Sequence, residues 1–301
     1  MHQAMREPDK EKIIMAMEKE MDDQMRNGNF SLVKKSDVPE DKIILPAVWQ
    51  MKRKRDIKSR EIKKYKARLN IDGSEMKKGI HYNQTYAPVA SWTSIWILLT
   101  LASSMGWYTK QIDYVLAFPQ APVEKEIYMR IPKSFEMGGT NGKDEYVLKL
   151  HRNVYGQKQA GRVWNKYLEE KLIRDVGFTK SKYDECVFYK GRTMYILYTD
   201  DSILADPSQK EIQSIIQQIR NTRLQITEEG DIQDFLGINI VCQDGRTVEL
   251  TQSHLIDQIL NDLKMDDDKL KPKDTPSKSS TILTRGDSDK NFDKKVFTIG
   301  V

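Results

Sequence analysis

The stretch Met194-Tyr195-Ile196-Leu197-Tyr198-Thr199-Asp200-Asp201-Ser202-Ile203-Leu204-Ala205 sets two adjacent carboxylates between two apolar, β-prone runs. That pattern predicts two strands joined by a tight turn, with Asp200 and Asp201 at the tip of the hairpin. Neighbouring strand residues point to opposite faces, so one carboxylate can meet a metal while the other lies beside it or supports the backbone. The tetrapeptide Tyr198-Thr199-Asp200-Asp201 also suits an acidic turn on a solvated hairpin, and alone it does not choose between the two.

A partner carboxylate breaks the tie. Lys110-Gln111-Ile112-Asp113-Tyr114-Val115-Leu116-Ala117-Phe118 reads as another strand and carries Asp113, 87 residues before Asp200. Between them lies Leu150-His151-Arg152-Asn153-Val154-Tyr155-Gly156-Gln157-Lys158-Gln159-Ala160-Gly161-Arg162-Val163-Trp164. Tyr198 to Asp201 resembles motif C of the reverse transcriptases. Asp113, with an aromatic five residues later, resembles their motif A. Residues 150–164 resemble the long Leu-Tyr-Gly-Leu-Lys-Gln-Ala-Pro-Arg-Ala-Trp signature of copia-type LTR retrotransposon reverse transcriptases. Lys66-Ala67-Arg68-Leu69, Tyr86-Ala87-Pro88-Val89, Ile127-Tyr128-Met129 and Phe235-Leu236-Gly237 follow in the family's order, and the resemblance runs from about Met17 to Pro276.

The resemblance implies an RNA-directed and DNA-directed DNA polymerase of a Pol polyprotein, and an α+β right-hand fold with fingers, an antiparallel split βαβ palm and a truncated thumb. It implies two Mg²⁺ ions, with Mn²⁺ as a substitute, on Asp113, Asp200 and the more peripheral Asp201. Hard cations of this kind take oxygen ligands, and two of them can stabilise the attacking and leaving oxygens of an in-line phosphoryl transfer. Lys66 and Arg68 would meet the nucleotide phosphates, or else only continue a basic stripe. Phe118 would exclude a ribose 2′-hydroxyl, or else be a buried aromatic. Tyr155, Gly156, Lys158 and Gln159 would shape the nucleotide pocket, and Tyr198 and Thr199 would lie at the primer terminus. The implied partners are RNA template, DNA primer, RNA–DNA hybrid, dNTPs and other Pol parts such as integrase and RNase H.

Composition sets outer bounds. The chain has 301 residues, 39% hydrophobic and 31% charged, enough for a large domain or two small ones with a real core. Net charge is only +5, yet Met51 to Lys66 gathers nine basic residues, including Lys52, Arg53, Lys54 and Arg55, against Asp56 and Glu61. Such a stripe is an electrostatic footprint for nucleic-acid phosphate, or a solvated ribbon or localisation signal. Two cysteines and four scattered histidines make neither a disulfide framework nor a zinc site. The longest apolar run, Ile95 to Ala102, is too short to span a membrane, and no signal peptide is visible. The expectation is an intracellular protein, in a cytoplasmic particle or the nucleus, with no membrane partner.

Periodicity and composition predict a helical amphipathic lead-in (1–40) and a charged linker expected to be disordered (265–301), and the resemblance implies fingers and palm over 41–245 and a partial thumb helix over 246–264. Ser91 to Met105 reads as a capped buried helix stopped by Gly106. Gly138 to Gly142 reads as a loop. Gly161 to Val176 places Val163, Trp164, Tyr167, Leu168, Leu172 and Ile173 on one core face. Ser208 opens a helix as a capping box, with Ile212, Ile215, Ile216 and Ile219 inward. The palm sheet is expected to carry helices on one face and the chemistry on the other.

Several departures from the family stand outside the carboxylates: Gln157 for Leu, Gly161 for Pro, Pro119 to Ala121 for Leu-Asn-Gly, and Asn70-Ile71-Asp72-Gly73 for Val-Ala-Lys-Gly. They leave open a catalytically inactive nucleic-acid-binding remnant. An unrelated Mg²⁺-dependent nuclease or transferase is weaker, having no need of the Gly156 to Ala160 segment. No Asp-Ser/Thr-Gly protease signature or integrase zinc arrangement is found, and an RNase H domain is not expected within 264–301.

Overall fold

The computed structural model describes residues 6–55, 61–132, 145–243, 247–263 and 265. The expected loop at Gly138 to Gly142 and nearly all of the expected linker lie outside them. Of the described chain, the first half contains α1 (Lys10–Arg26), β1 (Phe30–Lys34), β2 (Ile44–Leu45), β3 (Ala47–Arg55), β4 (Ile62–Ile71), α2 (Trp92–Met105), β5 (Tyr108–Tyr114), α3 (Ala117–Gln120), β6 (Tyr128–Arg130) and β7 (Tyr146–Leu150). Then come α4 (Ala160–Glu170), β8 (Thr179–Lys180), β9 (Val187–Lys190), β10 (Thr193–Tyr198), β11 (Asp201–Asp206) and α5 (Gln209–Asn221). The last elements are β12 (Ile226–Gly230), β13 (Asp234–Phe235), β14 (Ile238–Gln243), β15 (Thr247–Thr251) and α6 (Ser253–Asp262).

Two cores organise these elements. The first gathers α1, the β3–β4 hairpin and a four-stranded sheet in the order β1-β7-β6-β2. Here α1 is more than a lead-in: Ile13, Met17 and Met21 are buried and the helix packs on β4, while Ile14 at the edge of the stripe is exposed. The buried Glu20 carboxylate accepts the Leu69 amide N–H at 3.2 Å, so α1 also anchors the backbone of β4.

The second core is built on a six-stranded antiparallel sheet, β12-β5-β11-β10-β9-β8. The helix caps behave as their residues dictate. Ser91 accepts the Ser94 N–H at 3.1 Å before α2, Gly106 ends that helix at φ 63, and Ser208 accepts the Glu211 N–H before α5. Ile212, Ile215, Ile216 and Ile219 are all buried. Beyond Glu170, α4 continues into π-helical turns over Lys171–Val176. That change of period turns Ile173 outward, against the 3.6-residue expectation, while Leu172 and Val176 stay buried.

The expected open face is open only in part. Alternation puts Asp113, Asp201, Ile203 and Ala205 on one face of β5 and β11, yet Ile203 and Ala205 are fully buried. Trp164 and Phe178 cover the face carrying Tyr114 and Tyr195, and α2 packs across β10 and β11. The end at the β10–β11 turn, where Asp113, Asp200 and Asp201 are half-buried, remains accessible. A small sheet, β13-β14-β15, which the residue pattern did not disclose, packs against α2 beside that end. Leu255 and Ile256 of α6 are exposed. Among the described residues no helix is long and apolar enough to cross a membrane.

Candidate active site

The hairpin is as tight as a hairpin can be. Tyr198 pairs with Asp201, leaving Thr199 and Asp200 as a two-residue loop. Thr199 takes φ 59, a left-handed conformation unfavourable for a β-branched residue. Trp164 holds it there: its indole Nε1–H donates to the Thr199 carbonyl at 2.7 Å. Trp164 is almost fully buried and edge-on to Tyr114, with ring centroids 5.1 Å apart. A buried indole needs an acceptor for its N–H. That requirement is the signal by which Trp164, read above as core alone, could have been assigned to the site.

Backbone pairing gathers the three aspartates. Asp201 stands opposite Asp113 in register. The Tyr114 N–H donates to the Asp200 carbonyl at 3.0 Å. Beneath them the hydroxyls of Tyr114 and Tyr195 are 2.9 Å apart, and those of Tyr195 and Ser202 are 2.7 Å apart, in a buried chain. Burial pushes the Tyr114 and Tyr195 phenols up, so these groups stay protonated and act as a rigid floor. All three aspartates are half-buried. Their oxygen donors and their register suit a hard divalent cation. Among the described residues no group of three or more His, Cys, Asp or Glu stands as a ready-made metal site.

Next to the carboxylates the structure brings three of the expected residues together. The Arg68 guanidinium lies 4.7 Å from the Tyr155 ring centroid, and Tyr155 lies 5.2 Å from the Phe118 ring. Burial pushes the Tyr155 phenol up; Arg68 opposes this, and Asp200, Glu20 and Asp113 add to it, so Tyr155 lies within the field of the aspartates. Arg68 Nε, Asn70 Oδ1 and both amide ends of Gln157 and Gln159 are buried without a hydrogen-bond partner. Orphaned buried polar groups are rare and mark places that a ligand or water completes.

Other expected contacts are placed differently. A Cβ on Gly156, at φ 89, would stand 2.1 Å from the Ile71 carbonyl, and one on Gly73 2.2 Å from the Gly156 carbonyl. The close approach made possible by Gly156 is therefore to the end of β4, reinforced by Ile71 N–H donating to the Tyr155 carbonyl at 2.9 Å. Lys158 donates to the Met76 carbonyl at 3.2 Å and covers the Tyr82 ring. Tyr198 packs edge-on against Phe235. Gly161 sits in the first turn of α4, where a Cβ would meet Ala87 at an ordinary 3.7 Å.

The basic stripe divides between two faces. In the β3–β4 hairpin Lys52 faces Lys66, Lys54 faces Lys64 and Gln50 faces Arg68 in register. Alternation sends Arg53 to the other face, where it forms two 2.7 Å bonds to Asp9. The Arg53 guanidinium holds the Asp9 carboxyl down, at about 2. Arg53 is thus engaged inside the fold rather than in the stripe. The side chains of Lys54 and Arg55 lie outside the described residues.

The family model described as reverse transcriptase (RNA-dependent DNA polymerase) matches residues 27–278. The chain is 32% identical over 276 residues to the retrovirus-related Pol polyprotein from transposon TNT 1-94 of Nicotiana tabacum, covering 89% of this chain and 20% of that protein. It is 29% identical over 227 residues to the Pol polyprotein from transposon RE1 of Arabidopsis thaliana, covering 74% of this chain and 15% of the relative. The chain therefore spans about a fifth or less of these relatives' length. A foamy viral protease-reverse transcriptase solved in complex with dsDNA covers 83% of this chain and 44% of its own at a TM-score of 0.48 and 16% identity. With the match spanning the aspartate hairpin, its partner strand and the segment that carries Trp164, this chain belongs to the reverse transcriptase (RNA-dependent DNA polymerase) family.

Proposed function

We propose that the chain is the RNA-directed and DNA-directed DNA polymerase portion of a retrotransposon Pol polyprotein, extending a DNA primer with dNTPs on an RNA or DNA template. The observation that carries this reading is the pairing of Asp113 with Asp201, with Asp200 in the braced two-residue turn. In this reading the β3–β4 hairpin and the first core are fingers, the six-stranded sheet is the palm, and β15 and α6 begin a thumb.

Asp113, Asp200 and Asp201 would hold two Mg²⁺ ions, or Mn²⁺ in their place, which when bound offset the charge on the attacking 3′-oxygen and the leaving pyrophosphate. Arg68, with Lys66 beside it on the hairpin, meets the β- and γ-phosphates. Phe118, braced by Tyr155, closes the space where a 2′-hydroxyl would sit. Gln157 and Gln159 complete their orphaned amides on the nucleotide or its waters. Tyr198 and Thr199 seat the primer end, and Lys52 and its neighbours hold template phosphate.

Single-nucleotide primer extension on RNA and on DNA templates tests the assignment. Asp113→Asn and Asp200→Asn are each expected to lower the rate by about a thousandfold or more, since several kcal/mol of transition-state stabilisation rest on these ligands. Template binding and circular dichroism should stay close to the parent's. Extension that survives in either variant rejects the reading, and extension absent from the parent itself favours the inactive nucleic-acid-binding remnant.

A further inference from the structure

A second concave site lies on the helix-covered side of the sheet, behind the end of β5. This cavity of about 330 Å³ is lined by Arg152, Lys171 and Arg223, with Gln120 and Tyr167 among the other walls, and no carboxylate is among its described lining residues. At its rim Asp175 pairs with Lys171 at 2.9 Å, leaving a clear positive surplus.

The backbone around it is strained and tightly fixed. Of the four non-glycine residues with positive φ among the described residues, two line this cavity: Leu116 at φ 51 and Arg223 at φ 68. Such strain costs about 1–3 kcal/mol per residue and persists where the surroundings over-determine it, often at ligand sites. Here Gln120 supplies the fixation. Its amide donates to the Val115 and Gln225 carbonyls at 2.7 and 2.9 Å and accepts the Gln225 N–H at 2.9 Å. Arg152 in turn donates to the Gln120 carbonyl at 2.9 Å. The walls also come from both cores: Arg152 follows β7 of the first, while Lys171 and Arg223 flank the second.

We propose that this cavity binds a small phosphate-bearing anion, which links the two cores through Arg152 on one side and Lys171 and Arg223 on the other. The volume is at the lower end of the range for small-ligand sites. Guanidinium forks match phosphate oxygens bidentately, and Arg152 and Arg223, with Lys171 beside them, outweigh Asp175 and favour multiple negative charge. Inorganic pyrophosphate and the triphosphate of a nucleotide share the required chemistry. The site uses none of the aspartates and needs no metal.

Calorimetric titration of the full chain with inorganic pyrophosphate, and separately with dATP, both in EDTA, tests this. One-to-one saturable binding is expected from at least one of the two, together with a rise in Tm, because a ligand bound only to the folded state stabilises it. Pyrophosphate binding as tight as dATP identifies the phosphates alone as the ligand; tighter dATP binding adds the nucleoside. The double variant Lys171→Glu/Arg223→Glu should bind about tenfold more weakly or worse, and the single Arg223→Gln should show a smaller loss. Lys210→Glu, one such charge reversal at an exposed position of α5, should bind like the parent. No saturable binding by the parent, an unaffected double variant, or an equal loss in Lys210→Glu overturns the proposal. So does displacement of pyrophosphate by a single-stranded oligonucleotide at lower phosphate concentration, which would make the cavity part of a nucleic-acid track.

Discussion

Asp113 and Asp201 are direct register partners on adjacent antiparallel strands. Like charges directly opposite each other on a sheet destabilise it. Replacing either with Asn should therefore raise the stability of the metal-free protein by a few tenths of a kcal/mol while removing nucleotide addition. Urea unfolding in EDTA reads the first effect and primer extension the second. A destabilised Asp113→Asn would show that the carboxylate serves the fold.

Trp164→Phe keeps most of the ring's volume but removes the donor to the Thr199 carbonyl. The expected cost is about 1 kcal/mol, that of a buried hydrogen bond. The strained Thr199 turn then relaxes, and the extension rate should fall while primer–template affinity holds. An unchanged rate would confine Trp164 to the core.

Phe118→Ala opens the space beside Tyr155. The ratio of dNTP to rNTP incorporation should drop by about tenfold or more, since a steric barrier rather than a hydrogen bond is removed. If the ratio is unchanged in a folded variant, Phe118 is only a packing residue.

The lysine pairs across the β3–β4 hairpin should be most favourable when a polyanion lies over them. Lys52→Gln together with Lys64→Gln is expected to weaken template binding at every sequence and to reduce the slope of log affinity against log salt by roughly one unit per lost phosphate contact. An identical slope would leave the stripe as plain solvated surface. Arg53→Gln should leave that slope nearly unchanged, because Arg53 is engaged by Asp9.

That same pair gives a pH signature. The folded carboxyl of Asp9 titrates at about 2 rather than at the ordinary 3.8. A depressed carboxyl contributes stability that is complete above the unfolded value and is lost as pH falls through the folded one. The Tm difference between the parent and Arg53→Gln should thus be constant above about pH 5 and shrink from about pH 4 toward pH 2. A difference that grows on acidification would contradict the pairing.

What was legible in the chain was what neighbours in sequence decide. The two-residue turn between Tyr198 and Asp201, the caps at Ser91 and Ser208 and the isoleucine stripe of α5 all follow from local pattern. The partnership of Asp113 with the hairpin followed from likeness of order, and the structure places it in register. What stayed hidden depends on distant contacts. Arg53 looks like every other base in the stripe until Asp9, 44 residues away, is folded against it. Trp164 looks like core until the Thr199 carbonyl, 35 residues on, reaches its indole. The sheet β13-β14-β15 had no clear local signature, and Ile173 was misplaced because a π-helical turn breaks the period that positioned it.

The position of β5 between β11 and β12 also has consequences during synthesis. The strand carrying Asp113 leaves the ribosome with neither neighbour made: Tyr195 follows Tyr114 by 81 residues, and Asp231 follows Lys110 by 121. At roughly 5–20 residues per second, β5 waits about 4 to 16 s for the hairpin and longer for its second edge. Throughout that interval it is an unpaired, partly apolar strand open to pairing with another chain. A copy of the gene interrupted between these segments would therefore lose more than activity, since the fragment it encodes keeps the exposed strand and never receives the partners that silence it.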